Sequence, residues 1–231
     1  MTIQTSKSLL PHLEIETGDD ITASVIWLHG LGASGHDFEP LVPELKLPAD
    51  IGVRFIFPHA PDMPVTINNG YVMPAWYDIL DASIDRKVDA NQLRASASAV
   101  KQLIGREIER GIASDRIVIA GFSQGGAVGY EAALTYDKPL AGLMAMSTYF
   151  ATVDSIQPSD ANKALPIHIY HGSHDPIVPE SLGQKAFHSV QKMGHTAEFS
   201  RYPMEHTLCW EQVQDIARQL SQWLPSPSSG N

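Results

Sequence analysis

Apolar and polar positions sort along this chain into two alternating kinds of run. Six short runs are apolar, all but the fourth carrying β-branched or aromatic residues: ASVIWLHG (23–30), VRFIFPHA (53–60), RIVIAGF (116–122), LAGLMAMS (140–147), LPIHIYHG (165–172) and AEFSRYP (197–203). Their near-continuous apolar character predicts strands covered on both faces. The runs between them have a longer period. In 89–110, Leu93, Ala97, Val100, Leu103, Ile104 and Ile108 recur at helical spacing, and Gly111 supplies a stop. Further helices are expected from just after Ser123 to about Tyr136, over 180–193 and over 209–223. This alternation predicts an α/β fold with a mostly parallel central sheet and helices on both faces. Functional groups in such sheets collect at the carboxyl ends of the strands.

One stretch breaks the alternation. Residues 58–88, PHAPDMPVTINNGYVMPAWYDILDASIDRKV, carry four prolines and an Asn-Asn-Gly turn. A loop of this length is often functional, although some merely pack over the core. Val72, Met73, Trp76, Ile79 and Leu80 predict a wall or lid here. No internal repeat or interior low-complexity linker divides the chain, so residues 1–224 read as one domain. The tail 225–231, with the sequence PSPSSGN, reads as disordered.

Charge narrows the function classes. Sixteen basic against 26 acidic residues give a formal net charge of -10, with no Lys/Arg cluster, which excludes a nucleic-acid role. The opening MTIQTSKSLLPHLEIE lacks the apolar segment of a signal peptide. No apolar run approaches the roughly 18 residues of a membrane span. The single cysteine, Cys209, excludes an intramolecular disulfide. A cytoplasmic protein without stable membrane insertion is expected.

The candidate chemistry starts at Gly121-Phe122-Ser123-Gln124-Gly125, a G-x-S-x-G pattern. Five residues alone are a weak signal, and Gly and Ser also serve ordinary turns. Between an apolar strand and a helix the pattern means more. A strand that turns abruptly into a helix crowds the positions two residues either side of the serine, and glycine there leaves room. The helix N-terminus adds a positive dipole where negative charge would develop. Ser123 is therefore the candidate nucleophile.

A serine hydroxyl needs a base, and this architecture orders the chain as nucleophile, acid, histidine. Of ten histidines, His206 follows the 197–203 strand and precedes the last helix, so it falls on a loop at the sheet's functional edge. His168 sits within a strand, His188 within a helix, and His195 near a helix end. The acid is expected after a strand between Ser123 and His206. Asp175 in IYHGSHDPIVP meets this condition, and Pro176 biases it toward an extended backbone. Asp154 and Asp160 are rivals in a polar loop that reads as surface. A metal at His171, His174 and Asp175 is disfavoured, because a Gly loop interrupts the helical face that such spacing needs. Oxyanion donors are expected at the N–H of Gln124, after the nucleophile, and of Leu31, in WLHGLGASGHDF after the first strand. His29 is expected to brace that loop. Gly30, Gly32 and Gly35 match G-x-G-x-x-G, but a phosphate cradle there lacks a G-K-[ST] continuation.

HGLG, GFSQGG, HGSHDPIVP and YPMEH together resemble the acyl-protein thioesterase/carboxylesterase family of α/β-hydrolases. PHAP…VTINNGYVMPAWYDI strengthens the resemblance, which covers about 15–224, and LAGLMAMSTYF leans toward the bacterial carboxylesterase branch. The resemblance implies an α/β-hydrolase fold and hydrolysis of carboxylic esters and thioesters through an acyl-serine, without cofactor or metal. It implies Ser123, Asp175 and His206 as triad and Leu31 and Gln124 as oxyanion donors. It further implies Trp76, Leu80, Tyr149 and Ile177 as lining of an acyl groove. Tyr149 stands where animal relatives often have tryptophan. Glu205 stands where many bacterial members have glycine, and its carboxylate either acts on His206 or faces solvent. Cys209 reads as a buried helix residue near the site.

The substrate expected is an ester or thioester of a short, medium or longer acyl chain, carried by a small molecule, an acylated protein or a lysophospholipid. The alternatives are a lysophospholipase, a peptidase, and a non-catalytic hydrolase-fold binding protein. The absence of a propeller or capping domain weighs against large peptides. The binding protein is weakened because every expected site residue is present. Either a monomer or a homodimer fits.

Overall fold

The computed structural model describes residues 9–81, 83 and 86–226. In chain order its main elements begin with β1 (His12–Glu16), β2 (Ala23–Leu28), β3 (Val53–Pro58), β4 (Asp62–Val65), β5 (Tyr71–Pro74), β6 (Ile79–Asp81) and β7 (Lys87–Val88). There follow α1 (Ala90–Glu109), β8 (Ile117–Phe122), α2 (Gln124–Leu134), β9 (Gly142–Met146), β10 (Ile167–Gly172), α3 (Glu180–Lys192), β11 (Ala197–Tyr202) and α4 (Trp210–Trp223). Seven strands form one sheet in the order β1-β3-β2-β8-β9-β10-β11. Only β1 runs antiparallel, pairing His12 with Pro58 and Glu16 with Arg54. The remaining neighbours are parallel. This is the α/β-hydrolase fold.

The interior strands β2, β3, β8, β9 and β10 are almost wholly buried because both faces are covered, and their side chains divide by alternation, whereas the edge strand β11 is only partly buried. Ile26, Leu28, Ile119 and Leu143 face one core, shared with Leu93 and Val100 of α1, Ala127 and Val128 of α2, and Val190 of α3. Val25, Trp27, Val118 and Met144 face a second core, shared with Val213, Ile216 and Leu220 of α4 and with Phe38, Val42 and Leu45. Full burial of each large aliphatic side chain contributes roughly 1.5–3 kcal/mol. α1 begins where the Asp89 carboxylate accepts from the N–H groups of Asn91 and Gln92 at 3.0 Å each, and it ends before Gly111 at φ +98.

Two features depart from the sequence expectations. β1 has no counterpart among the runs picked out by apolarity. As an edge strand it is less buried and reads as mixed polarity, His-Leu-Glu-Ile-Glu. The long stretch 58–88 is more structured than a loop. It contains the antiparallel hairpin β4–β5 and the short pair β6–β7. Trp76 and Ile79 are buried there, whereas Val72 and Leu80 are exposed. The expected disordered tail lies largely outside the described residues. Among the described residues, no helix is long and apolar enough to cross a membrane.

The sheet order places the site. From β2 the chain moves outward to β3, and β8 then returns to the other side of β2. The connections at the carboxyl ends of β2 and β8 therefore leave in opposite directions and open a crevice.

Candidate active site

Ser123 occupies the turn between β8 and α2, with φ 53 and ψ −120. A non-glycine residue pays backbone strain for that conformation, and such strain concentrates at functional sites. The tightness of the turn explains its glycines. A Cβ on Gly121 would lie 2.5 Å from Gly125 O, and one on Gly125 would lie 2.5 Å from His29 O. The turn is locked from below: Ser123 N–H donates to Met146 O at 2.9 Å, and Thr148 Oγ1 donates to Ser123 O at 2.6 Å.

Three side chains from three connections meet here. Ser123 Oγ lies 3.0 Å from His206 Nε2, and His206 Nδ1 lies 2.7 Å from Asp175 Oδ2. A carboxylate only accepts, so Nδ1 carries the imidazole proton and Nε2 is free to accept from the serine hydroxyl. The other carboxylate oxygen of Asp175 accepts from Ile177 N–H at 2.9 Å and Val178 N–H at 2.8 Å. Burial by itself would push the Asp175 carboxyl up. The hydrogen bonds from His206, Val178 and Ile177 outweigh it and hold Asp175 below its ordinary value. Phe122 packs on the imidazole with ring centroids 4.7 Å apart.

An adjoining cavity of about 520 Å³ opens from this polar end. Leu31, Phe38, Ile67, Ile79, Tyr149 and Ile177 supply much of its wall. Among the described residues, no acceptor engages the N–H of Leu31 or of Gln124. The loop that carries Leu31 is braced by His29. Its Nδ1 donates to Gly30 O at 2.7 Å, and its Nε2 accepts from Ala60 N–H at 3.0 Å. Burial lowers the pKa of His29, which matches a neutral ring with both nitrogens used.

Residues 11–224 match the model of the phospholipase/carboxylesterase family. The chain belongs to this family. Acyl-protein thioesterase 1 of Neurospora crassa is 39% identical over 215 residues, 88% of this chain and 88% of that protein. Acyl-protein thioesterase 1 of Gibberella zeae is 35% identical over 215 residues, 88% of this chain and 92% of that protein. The crystal structure of Arabidopsis thaliana SOBER1 shares the fold with a TM-score of 0.82 and 30% identity, covering 87% of this chain and 99% of that chain. Membership makes the chain an ester-bond hydrolase.

Within this member of the phospholipase/carboxylesterase family, the residues expected from sequence fall into two groups. Ser123, Asp175 and His206 are brought together, with Leu31, Gln124, Tyr149 and Ile177 around the cavity. Trp76 and Leu80 do not line it. Trp76 is wholly buried; its indole N–H donates to His29 O at 2.8 Å, so it braces the loop instead. Leu80 lies in β6 and is 49% exposed. A strand alternates its faces, and it is the neighbouring Ile79 that is buried and faces the cavity.

The rival acids stay apart. Asp154 and Asp160 are exposed, and Asp160 pairs with Lys163 at 2.6 Å. Glu205 is exposed, and His206 turns its Nδ1 to Asp175. Cys209 is the partly buried residue preceding α4 rather than a buried helix residue. Among the described residues, no group of three or more His, Cys, Asp or Glu could hold a metal ion.

Two contributors were not read from the sequence. The Gln124 side chain fastens the segment at Trp76–Tyr77, and Arg86 enters the cavity wall. Gln124 was visible only as a backbone donor. Arg86 carried no motif.

Proposed function

We propose that this chain hydrolyses carboxylic esters and thioesters of short to medium acyl chains, with longer chains also admitted, through an acyl-enzyme on Ser123. The observation that carries this reading is the hydrogen-bonded line from Asp175 through His206 to Ser123 at the polar end of an apolar cavity. Ser123 Oγ attacks the carbonyl carbon while His206 Nε2 takes its proton. His206 then returns that proton to the leaving alcohol or thiol as the carbon–oxygen or carbon–sulfur bond breaks. Water, deprotonated by the same nitrogen, releases the acid and restores the serine. Asp175 keeps the imidazole in the Nδ1–H tautomer and stabilises the imidazolium. The N–H groups of Leu31 and Gln124 receive the oxyanion, each contributing about 3–4 kcal/mol to the transition state. Their freedom from other acceptors supports this assignment.

The names of the fungal relatives, acyl-protein thioesterases, support thioesters as substrates. The family's description, phospholipase/carboxylesterase, supports lysophospholipid hydrolysis as a second reading. Residues 1–224 act as one domain in this scheme, which requires no cofactor. The bacterial carboxylesterase branch rests on LAGLMAMSTYF alone, and the curated relatives named above are fungal.

Mass spectrometry after treatment with a fluorophosphonate probe tests the nucleophile. The expected result is one adduct on Ser123, with p-nitrophenyl ester turnover reduced to background in Ser123→Ala. Turnover retained in that variant, or a wild-type protein that refuses the probe, overturns the proposal. Parallel rates on acyl thioesters and lysophosphatidylcholine separate the two substrate readings.

A further inference from the structure

Asp175 has a second imidazole beside it. His171, in β10, is fully buried, and its Nε2 lies 3.8 Å from Asp175 Oδ2 and 2.8 Å from Val178 O. The shorter contact assigns the tautomer: a carbonyl oxygen only accepts, so Nε2 carries the proton. Val178 passes the constraint on, because its own N–H donates to Asp175 Oδ1 at 2.8 Å. A buried line therefore runs from His171 through the Val178 residue to Asp175, and on to His206 and Ser123.

The other ring nitrogen explains how His171 is held. Nδ1 has no hydrogen-bond partner, and α3 lies flat against it: a Cβ on Gly183 would be only 2.3 Å away. A glycine at 183 is thus what lets the helix approach the ring. A proton on Nδ1 would face no acceptor, and a buried N–H or charge without a partner is costly. Asp175 and Glu180 favour the charged ring, whereas His206 disfavours it. Burial is the largest influence, and it carries the pKa of His171 below the usual histidine value. His171 stays uncharged and leaves the Asp175 carboxylate to His206.

We propose that His171 is a positioning residue: by tying down the Val178 carbonyl, it holds the 175–178 turn so that Asp175 Oδ2 is aimed at His206 Nδ1. This inference rests on the Ser–His–Asp reading above and adds a fourth side chain to it. It also gives the first histidine of HGSHDPIVP a purpose other than metal binding.

The test compares His171→Phe and His171→Gln in the full chain. Phe fills the space without a donor, whereas Gln can place an amide N–H near the position of Nε2. Rates on a p-nitrophenyl ester are followed across pH and normalised to sites labelled by the fluorophosphonate probe. His171→Phe is expected to lower kcat roughly tenfold to a hundredfold with little change in KM, as misplacement of a reacting group does. It should also move the acidic limb of kcat/KM to lower pH, because a carboxylate turned aside stabilises the imidazolium less. His171→Gln should recover most of the rate and the wild-type limb. A merely structural role would lower stability and leave rate per labelled site and pH profile in place, and that result overturns the proposal. So does a Gln variant that falls as far as Phe.

If neither variant folds, the wild type decides. Nitrogen-15 NMR of the histidines should find His171 neutral with its proton on Nε2 from about pH 6.5 upward. An Nδ1–H tautomer or an imidazolium in that range overturns the inference. Failure of the underlying triad has a different signature, namely turnover in Ser123→Ala and no label on Ser123.

Discussion

Gln124 holds Trp76 by the backbone: its side-chain carbonyl accepts the Trp76 N–H at 2.8 Å. Its amide donates onward to Tyr77 O at 2.6 Å, and Ser96 Oγ donates to Trp76 O at 2.5 Å. The residue after the candidate nucleophile thus joins α2 to the segment behind the cavity. Trp76 in turn donates to His29 O, in the loop that presents Leu31.

Gln124→Leu keeps the backbone N–H but removes both side-chain partners. Two buried backbone groups are then left unpaired, at about 1–3 kcal/mol each. The expected outcome is a lowered denaturant midpoint together with a lowered kcat, because the cavity wall and the Leu31 loop loosen together. Chemical denaturation and steady-state rates on one ester check it. Unchanged stability would mean that water replaces the lost partners.

Stability should fall in mild acid. His29, His59, His168, His171 and His195 all have pKa values lowered from 6.5, chiefly by burial. Their folded-state values lie below the unfolded one, so the unfolded chain binds more protons below about pH 6.5. The contribution of these rings is fully present above that pH and is lost as pH falls through the folded-state values. Each titrating ring changes stability by up to about 1.4 kcal/mol per pH unit. Thermal midpoints measured from pH 8 downward should hold level and then drop below about pH 6.5. A flat or rising profile there would contradict the assignment of these rings as neutral.

Arg86 belongs to the cavity wall. It lines both the main cavity and a smaller neighbouring one of about 90 Å³, with its guanidinium 5.2 Å over the Tyr149 ring and bonded to Ile177 O. Tyr149 is itself fixed by its hydroxyl contact of 2.7 Å with the buried Tyr77. Arg86→Ala removes a long side chain from the wall of both spaces and enlarges them. The ratio of kcat/KM for a long-chain p-nitrophenyl ester to that for a short-chain one is expected to rise several-fold. A methylene that gains an apolar site is worth up to about 0.8 kcal/mol, so one or two suffice. An unchanged ratio would show that the chain ends before Arg86.

The sequence by itself determined the sheet's interior and the order of the candidate site residues. Continuous apolar runs such as RIVIAGF can only be buried on both faces, and the glycines around Ser123 demand a turn that few other residues tolerate. Local rules suffice there, since strand, turn and helix start within a dozen residues. The order Ser123, Asp175, His206 was legible for the same reason: each follows a strand whose end lies on one edge of the sheet.

Tertiary structure decided whatever depended on residues distant in sequence. β1 is a strand because β3 offers it an edge, although its own pattern is mixed. Trp76 and Leu80 sit only four positions apart in one apolar stretch, yet one is wholly buried against His29 and the other is exposed on β6. Their composition could not separate them, because the separation comes from the pairing of β6 with β7 and the reach of Gln124 across 48 positions. The same holds for His171. Its spacing from Asp175 was visible, but its bond to Val178 and the close approach of Gly183 exist only once α3 packs on β10. The Val178 carbonyl sets which nitrogen holds the proton, and the packing of α3 leaves the other ring nitrogen without a partner.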